Sequence, residues 1–179
     1  MPKAEEVDGE HLQAAVREAV HRVYERDEVL IGERAHERSV LFHIGRHLAA
    51  AIDKWSDPWQ VDLEYNRVHD RGALDRVRKY LPATPGRAEG PVLPDLIVHD
   101  RSRSTADANL LVMEAKHAPT NRAVDYGKLH GFREVFGYRV SAYLEFPPYP
   151  AQPRWLWVDA MERDQGRYPD PLIAPPHMW

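Results

Sequence analysis

Apolar residues recur at three- and four-residue steps through Leu12, Val16, Val20 and Val23, which predicts a helix over about 9–27. Gly32 marks a break. A second stripe, Leu41, Ile44, Leu48 and Ile52, predicts a helix over about 33–53, ended by Trp55 to Pro58. The period then changes. VDLEYNR alternates, predicting a strand with Val61, Leu63 and Tyr65 on one face and Asp62, Glu64 and Asn66 on the other. Residues 68–91 form a long connection, with a short helix expected near Leu74 to Tyr80 and a flexible end in PATPGRAEGP. VLPDLIVHD and NLLVMEAKH are the next strands, joined by the polar loop RSRSTADA. A helix over 122–137 carries Leu129, Phe132 and Phe136 on one side. YRVSAYLEF and RWLWVDA are two further strands, and Trp155 and Trp157 in the last alternate with Leu156 and Val158 as packing residues. The order helix, helix, three strands, helix, two strands predicts an α/β fold. Its mixed sheet, flanked by helices, begins as a meander and continues through a helical crossover.

Two of these strands carry acids where a buried strand is apolar. In NLLVMEAK, Leu110, Val112, Glu114 and Lys116 share a face, and Leu111, Met113 and Ala115 share the other. Both faces are apolar before Glu114, as in a central strand covered on each side. In VLPDLIVHD, Asp95 follows Pro94 and shares a face with Leu93 and Ile97, so neighbouring strands would bring Asp95 towards Glu114. Glu37 lies four residues before Leu41, on the buried stripe of the second helix. Converging carboxylates need water or a cation. Oxygen-only ligands suit magnesium or manganese, and a lysine beside them suits the charge that develops on a phosphate under attack. The bland alternative is that Asp95 caps a turn and Glu114 pairs with Lys116 as a buried ion pair.

Composition narrows the classes. The 179 residues are 43% hydrophobic, ordinary for one globular domain. The chain has no cysteine, which removes disulfides and zinc–thiolate sites and fits a reducing cytoplasm. No apolar run approaches the roughly 18 residues of a membrane span, and the acidic opening MPKAEEVDGE is unlike a signal or transit peptide. Ten histidines are present without a tight zinc-binding pair. A net charge of −4 argues against a grip on nucleic acid over the whole surface. Only five of the 24 basic residues are lysines, which draws attention to Lys79, Lys116 and Lys128.

Pro94-Asp95 followed by Glu114-Ala115-Lys116 resembles the PD-(D/E)XK nuclease motif. The preceding Glu37 helix is similar to that superfamily's first core helix. The set Glu37, VDLEYNR, PDLIVH, NLLVMEAK and DYGKL resembles a bacterial group of small, mostly uncharacterised members. The resemblance covers roughly residues 33–146 and implies a restriction-endonuclease-like αβββαβ core. Residues 1–32 would then be an N-terminal helical extension, 33–160 the nuclease-like domain and 161–179 a proline-rich tail. It implies metal binding (Mg2+ or Mn2+) by Asp95 and Glu114, with the Ala115 carbonyl as a further ligand and Glu37 completing the shell directly or through water. Lys116 would stabilise charge or position the attacking water. The implied activity is endonuclease-like DNA phosphodiester hydrolysis in bacterial restriction, phage defence or repair, with RNA an alternative substrate. A homodimer, or a partner protein in a defence system, follows by the same analogy. A catalytically silent nuclease fold acting as a nucleic-acid or protein binding module is the competing expectation.

Secondary candidates surround this set. Lys128, with Asp125 and Tyr126, opens the 122–137 helix and is a candidate phosphate contact, or a solvated lysine. Arg71, Arg76, Arg78, Lys79 and Arg87 make the 68–91 connection basic and suit contact with a nucleic-acid backbone, or form a charged surface loop, and Arg67 is a candidate phosphate contact or an exposed arginine. Glu64 and Asn66 would line the cleft or face solvent. His99 and His117 flank the acidic strands as candidate bases or structural groups.

Overall fold

The computed structural model describes residues 9–55, 58–68, 77–83, 87–103, 105–118, 122–148 and 150–158. Three helices come first: α1 (Gly9–Arg26), α2 (Glu28–Gly32) and α3 (Glu37–Ile52). Strands β1 (Gln60–Leu63), β2 (Arg67–Val68), β3 (Val77–Arg78), β4 (Tyr80–Leu81), β5 (Gly90–Pro91), β6 (Leu96–His99) and β7 (Asn109–Lys116) follow. Helix α4 (Arg122–Phe136) then leads into β8 (Val140–Glu145) and β9 (Arg154–Trp157).

The main sheet has the order β1-β6-β7-β8-β9. All its pairs are antiparallel except β7–β8, which is parallel. That parallel step needs a crossover, and α4 supplies it across one face. The fold is therefore mixed α/β, with a five-stranded mixed sheet between helices, as the hydrophobic pattern predicts.

Each face of the sheet has its own core. Leu96, Val98, Leu111, Met113 and Ala115 pack with Val16 and Val20 of α1 and with Ile44 and Leu48 of α3. Ile97, Val112 and Tyr143 pack with Leu129 and Phe132 of α4. Helix α1 extends the domain by packing onto α3 and sharing its core. No helix among the described residues is long and apolar enough to cross a membrane.

The structure departs from the predicted elements where the backbone turns. Helix α3 starts at Glu37 rather than 33, because Arg34 takes a left-handed φ of 51° and His36 caps the helix by accepting from the Arg38 N–H. Strand β1 stops at Leu63, because Glu64 has a φ of 50°. The turn sends Tyr65 to the α4 side, while Val61 and Leu63 stay on the α3 side. Helix was expected near Leu74 to Tyr80, but Val77–Arg78 and Tyr80–Leu81 are short strands. They pair with β2 and β5, and the backbone pairing overrides the local helical spacing. The earlier part of that predicted helix lies outside the described residues, as do Arg71, Arg76, the start and the 161–179 tail.

Candidate functional site

The register of β6 on β7 pairs Leu96 with Met113 and Ile97 with Val112. One step on, Asp95 stands level with Glu114. Glu114 shares its face with Val112 and so projects to the α4 side, while Asp95, one residue before β6, turns its carboxylate to the main chain of β7. Helix α4 packs there and adds Asp125 and Lys128, one turn apart. Helix α3 contributes Glu37, its first residue.

Lys116 links the two groups of acids. Its Nζ lies 3.5 Å from Glu37 Oε2 and 3.6 Å from Asp95 Oδ2. The main chain fixes the same carboxylates. The Ala115 N–H donates to Asp95 Oδ2 at 2.9 Å, and the His117 N–H donates to Glu37 Oε1 at 3.2 Å. Burial works against the Lys116 charge, but the Asp95 and Glu37 carboxylates outweigh it and hold the ammonium above its ordinary pKa.

Glu114 is fully buried. Lys128 Nζ donates to its Oε2 at 2.5 Å. Its Oε1 is buried with no hydrogen-bond partner. Burial, helped by the Asp95 charge and opposed by Lys128, pushes the Glu114 carboxyl up to about 8. Asp125 is buried too and is raised by burial, with Lys116 and Lys128 opposing. Asp125 reads in the sequence only as a helix-opening residue. Its spacing of three from Lys128 was the available signal, because it places both on the helix face that carries Leu129 and Phe132 towards the sheet.

A small cavity of about 60 Å³ opens beside this cluster, lined by Glu37, Arg38, Glu64 and Asp95 with Leu41 and Leu63. Glu64 thus reaches the cleft, held by Arg38, whose Nε and Nη2 donate to its Oε1 at 2.8 and 2.5 Å. The ion pair of the bland alternative, Glu114 with Lys116, is not formed: Glu114 pairs with Lys128, and Lys116 with Asp95 and Glu37.

The donor chemistry around Glu114 suits a hard divalent ion: oxygen groups only, one of them a buried carboxylate oxygen without a partner. The spacing is looser than the chemistry. Among the described residues, no three histidine, aspartate or glutamate side chains gather closely enough to hold a metal ion.

The expected nucleic-acid contacts lie in different places. Lys128 faces inward to Glu114 rather than outward. Arg67 and Arg78 are cross-strand partners in β2–β3 and are exposed. Lys79 is 3% exposed, its Nζ 2.5 Å from the Tyr138 hydroxyl. His117 is tied to structure, its Nε2 2.5 Å from the Ala35 carbonyl and its ring against Phe146. His99 is buried and pairs with Asp62 at 2.8 Å. Trp155 and Trp157 stack on each other against the α1–α3 core, as their alternation predicts. Comparison of the chain with protein-family models, curated proteins and solved structures gives no match.

Proposed function

We propose that the protein is a divalent-metal-dependent hydrolase of nucleic-acid phosphodiester bonds, with a restriction-endonuclease-like αβββαβ core formed by α3, β1, β6, β7, α4 and β8. The observation that carries the reading is the ion pairing of Lys116 with Asp95 and Glu37, two residues along β7 from the buried Glu114. Asp95, Glu114 and Lys116 arise from the Pro94-Asp95 and Glu114-Ala115-Lys116 motif, with Glu37 alongside. Asp95, Glu114 and the Ala115 carbonyl would hold magnesium or manganese, with Glu37 next to them. A bound ion supplies positive charge to the phosphate oxygens and acidifies a water molecule.

The chain's own groups account for the remaining steps. Lys116 carries three N–H donors and stays protonated, so it can hold a phosphate oxygen or orient a water for in-line attack. Asp95 and Glu37 anchor the ammonium at 3.6 and 3.5 Å, and both of these carboxylates line the small cavity. Lys128 stabilises the ionised form of Glu114, the form a cation requires. DNA is the substrate that the resemblance favours, in a bacterial cytoplasm, with RNA, a homodimer or a defence partner as subordinate proposals.

A second reading rests on the lysine placement. Ammonium groups already compensate three of the four carboxylates, and this suits a silent nuclease fold that binds nucleic acid or protein. One assay separates the two. Purified protein is incubated with supercoiled plasmid, single-stranded DNA and RNA in magnesium or manganese, beside Asp95→Asn and Lys116→Ala. The hydrolase reading expects cleavage that falls at least about 100-fold in both variants. Absence of cleavage of every substrate by folded wild-type protein overturns it.

A further inference from the structure

A second polar centre lies at the opposite end of β6 and β7, on the same α4 side of the sheet. There a cavity of about 420 Å³ is lined by Tyr65, Arg67, Lys79, Arg101, Arg103 and Glu134, among others. Four cations thus face it against one carboxylate among the lining residues.

The arginines are placed by carboxylates set behind them. Asp62 accepts from Arg101 through both Nε, at 2.6 Å, and Nη2. The same carboxylate takes His99 Nε2 at 2.8 Å. Bonds from His99 and Arg101 overcome the effect of burial and hold the Asp62 carboxyl down to about 2. Arg103 pairs with Asp107 and lies 4.0 Å from Asp100.

Lys79 differs from them. Its side chain is buried, yet no carboxylate among the described residues comes within ion-pair distance. Its nearest groups are the Tyr138 hydroxyl at 2.5 Å and the rings of Tyr65 and Tyr138 at 5.6 and 5.1 Å, and the Asp62 charge acts on it from beyond ion-pair distance. A buried ammonium without a paired anion is costly, and the loss of hydration, only partly offset by the Asp62 charge, brings its pKa down to about 8. A cavity that places oriented guanidinium groups and an ammonium without an ion pair around an open volume suits an oxyanion.

We propose that this cavity is a binding site for a phosphate group, with Lys79 as its charge partner and Arg101, set by Asp62, as its fork. The phosphate comes from a free phosphomonoester or from the backbone of a nucleic-acid strand. The second source rests on the function proposed above. Asn109 lines the cavity and Glu114 the acidic cluster, five residues apart on β7. At roughly 3.3 Å per residue they are separated by roughly 16 Å, or about five nucleotides at about 3.4 Å each. A strand held here would be anchored away from the bond that is cut.

The test uses the full chain in metal-free buffer, so that no cleavage occurs. Inorganic phosphate is titrated while backbone amide shifts are followed. Shifts at His99, Asn109 and Gly137, weakened at least tenfold in Lys79→Met and largely retained in Lys79→Arg, are expected. Equal melting temperatures would show that both variants are folded. No shift at these amides at millimolar phosphate, or phosphate binding unchanged in Lys79→Met, overturns the proposal. Labelled oligonucleotide and a mononucleotide identify the source. Loss of oligonucleotide affinity in Lys79→Met assigns the cavity to the strand backbone, and loss confined to the mononucleotide assigns it to a free phosphomonoester. Phosphate binding in a protein that cleaves nothing would refute the hydrolase while leaving this site standing.

Discussion

Lys128 Nζ lies 2.5 Å from Glu114 Oε2, inside the domain, while the other oxygen of that carboxyl is buried without a partner. The pair joins the middle of the sheet to α4. Removing Lys128 leaves the Glu114 carboxyl buried without its donor, and removing Glu114 leaves the ammonium without its partner. Lys128→Met is expected to destabilise the fold by about 1–3 kcal/mol in urea unfolding. Adding Glu114→Gln should recover part of that loss, giving a coupling energy of about 1–3 kcal/mol in a double-mutant cycle. Strict additivity would show that the two groups do not interact.

Glu114 also sets a pH dependence. Its ordinary value is 4.5, and burial lifts it to about 8 in the folded chain. Between those limits the folded state holds a proton that the unfolded state has released. Stability therefore declines as pH rises from the lower value to the upper, and levels off above it. Glu114→Gln cannot titrate. The melting temperature of that variant minus that of the wild type is expected to grow as pH rises through this window. A difference independent of pH would show that Glu114 ionises normally.

Much of this arrangement was legible in the sequence, and what was missed has local causes. The parity of Glu114 and Lys116 in NLLVMEAK follows from strand alternation alone, and the neighbouring Asp95 follows from the pairing of β6 with β7. Partner choice did not follow. Lys116 sits next to Glu114 in every strand reading, yet it turns to Glu37 and Asp95, because Lys128 arrives from a helix distant in sequence. Tyr65 was assigned to the wrong face, since one left-handed residue, Glu64, breaks an alternation that the letters show unbroken. Lys79 read as a surface cation in a basic loop. Its burial depends on Tyr138, 59 positions away, and no local pattern encodes that contact.

Lys116 reports on Asp95. Burial acts against the ammonium, and Asp95 is the largest influence in its favour, followed by Glu37. Asp95→Asn keeps an oxygen able to accept from the Ala115 N–H while removing the charge. Lys116 is expected to titrate at lower pH in this variant, read from the side-chain nitrogen by NMR. Glu37→Gln should move it in the same direction by less. An unchanged Lys116 titration in Asp95→Asn would separate the two residues and remove the basis for a shared site.

Gly137 ends α4 in the left-handed region, with a φ of 70°. That conformation already favours glycine. The surroundings are stricter still, because a Cβ there would stand 2.4 Å from the Ala106 Cβ and 3.1 Å from its Cα. Ala106 begins the short 3-10 turn that leads into β7, so neither neighbour can yield without moving that strand's entry. Gly137→Ala is expected to cost about 2–4 kcal/mol, from backbone strain together with overpacking. Both residues line the basic cavity, so phosphate binding should weaken as well. Gly32, at the end of α2, is the control: nothing lies within 4 Å of an added Cβ, and its φ is not left-handed. Gly32→Ala should leave stability unchanged or raise it by up to about 1 kcal/mol. Equal effects of the two substitutions in urea unfolding would contradict the close approach of α4 to the turn before β7.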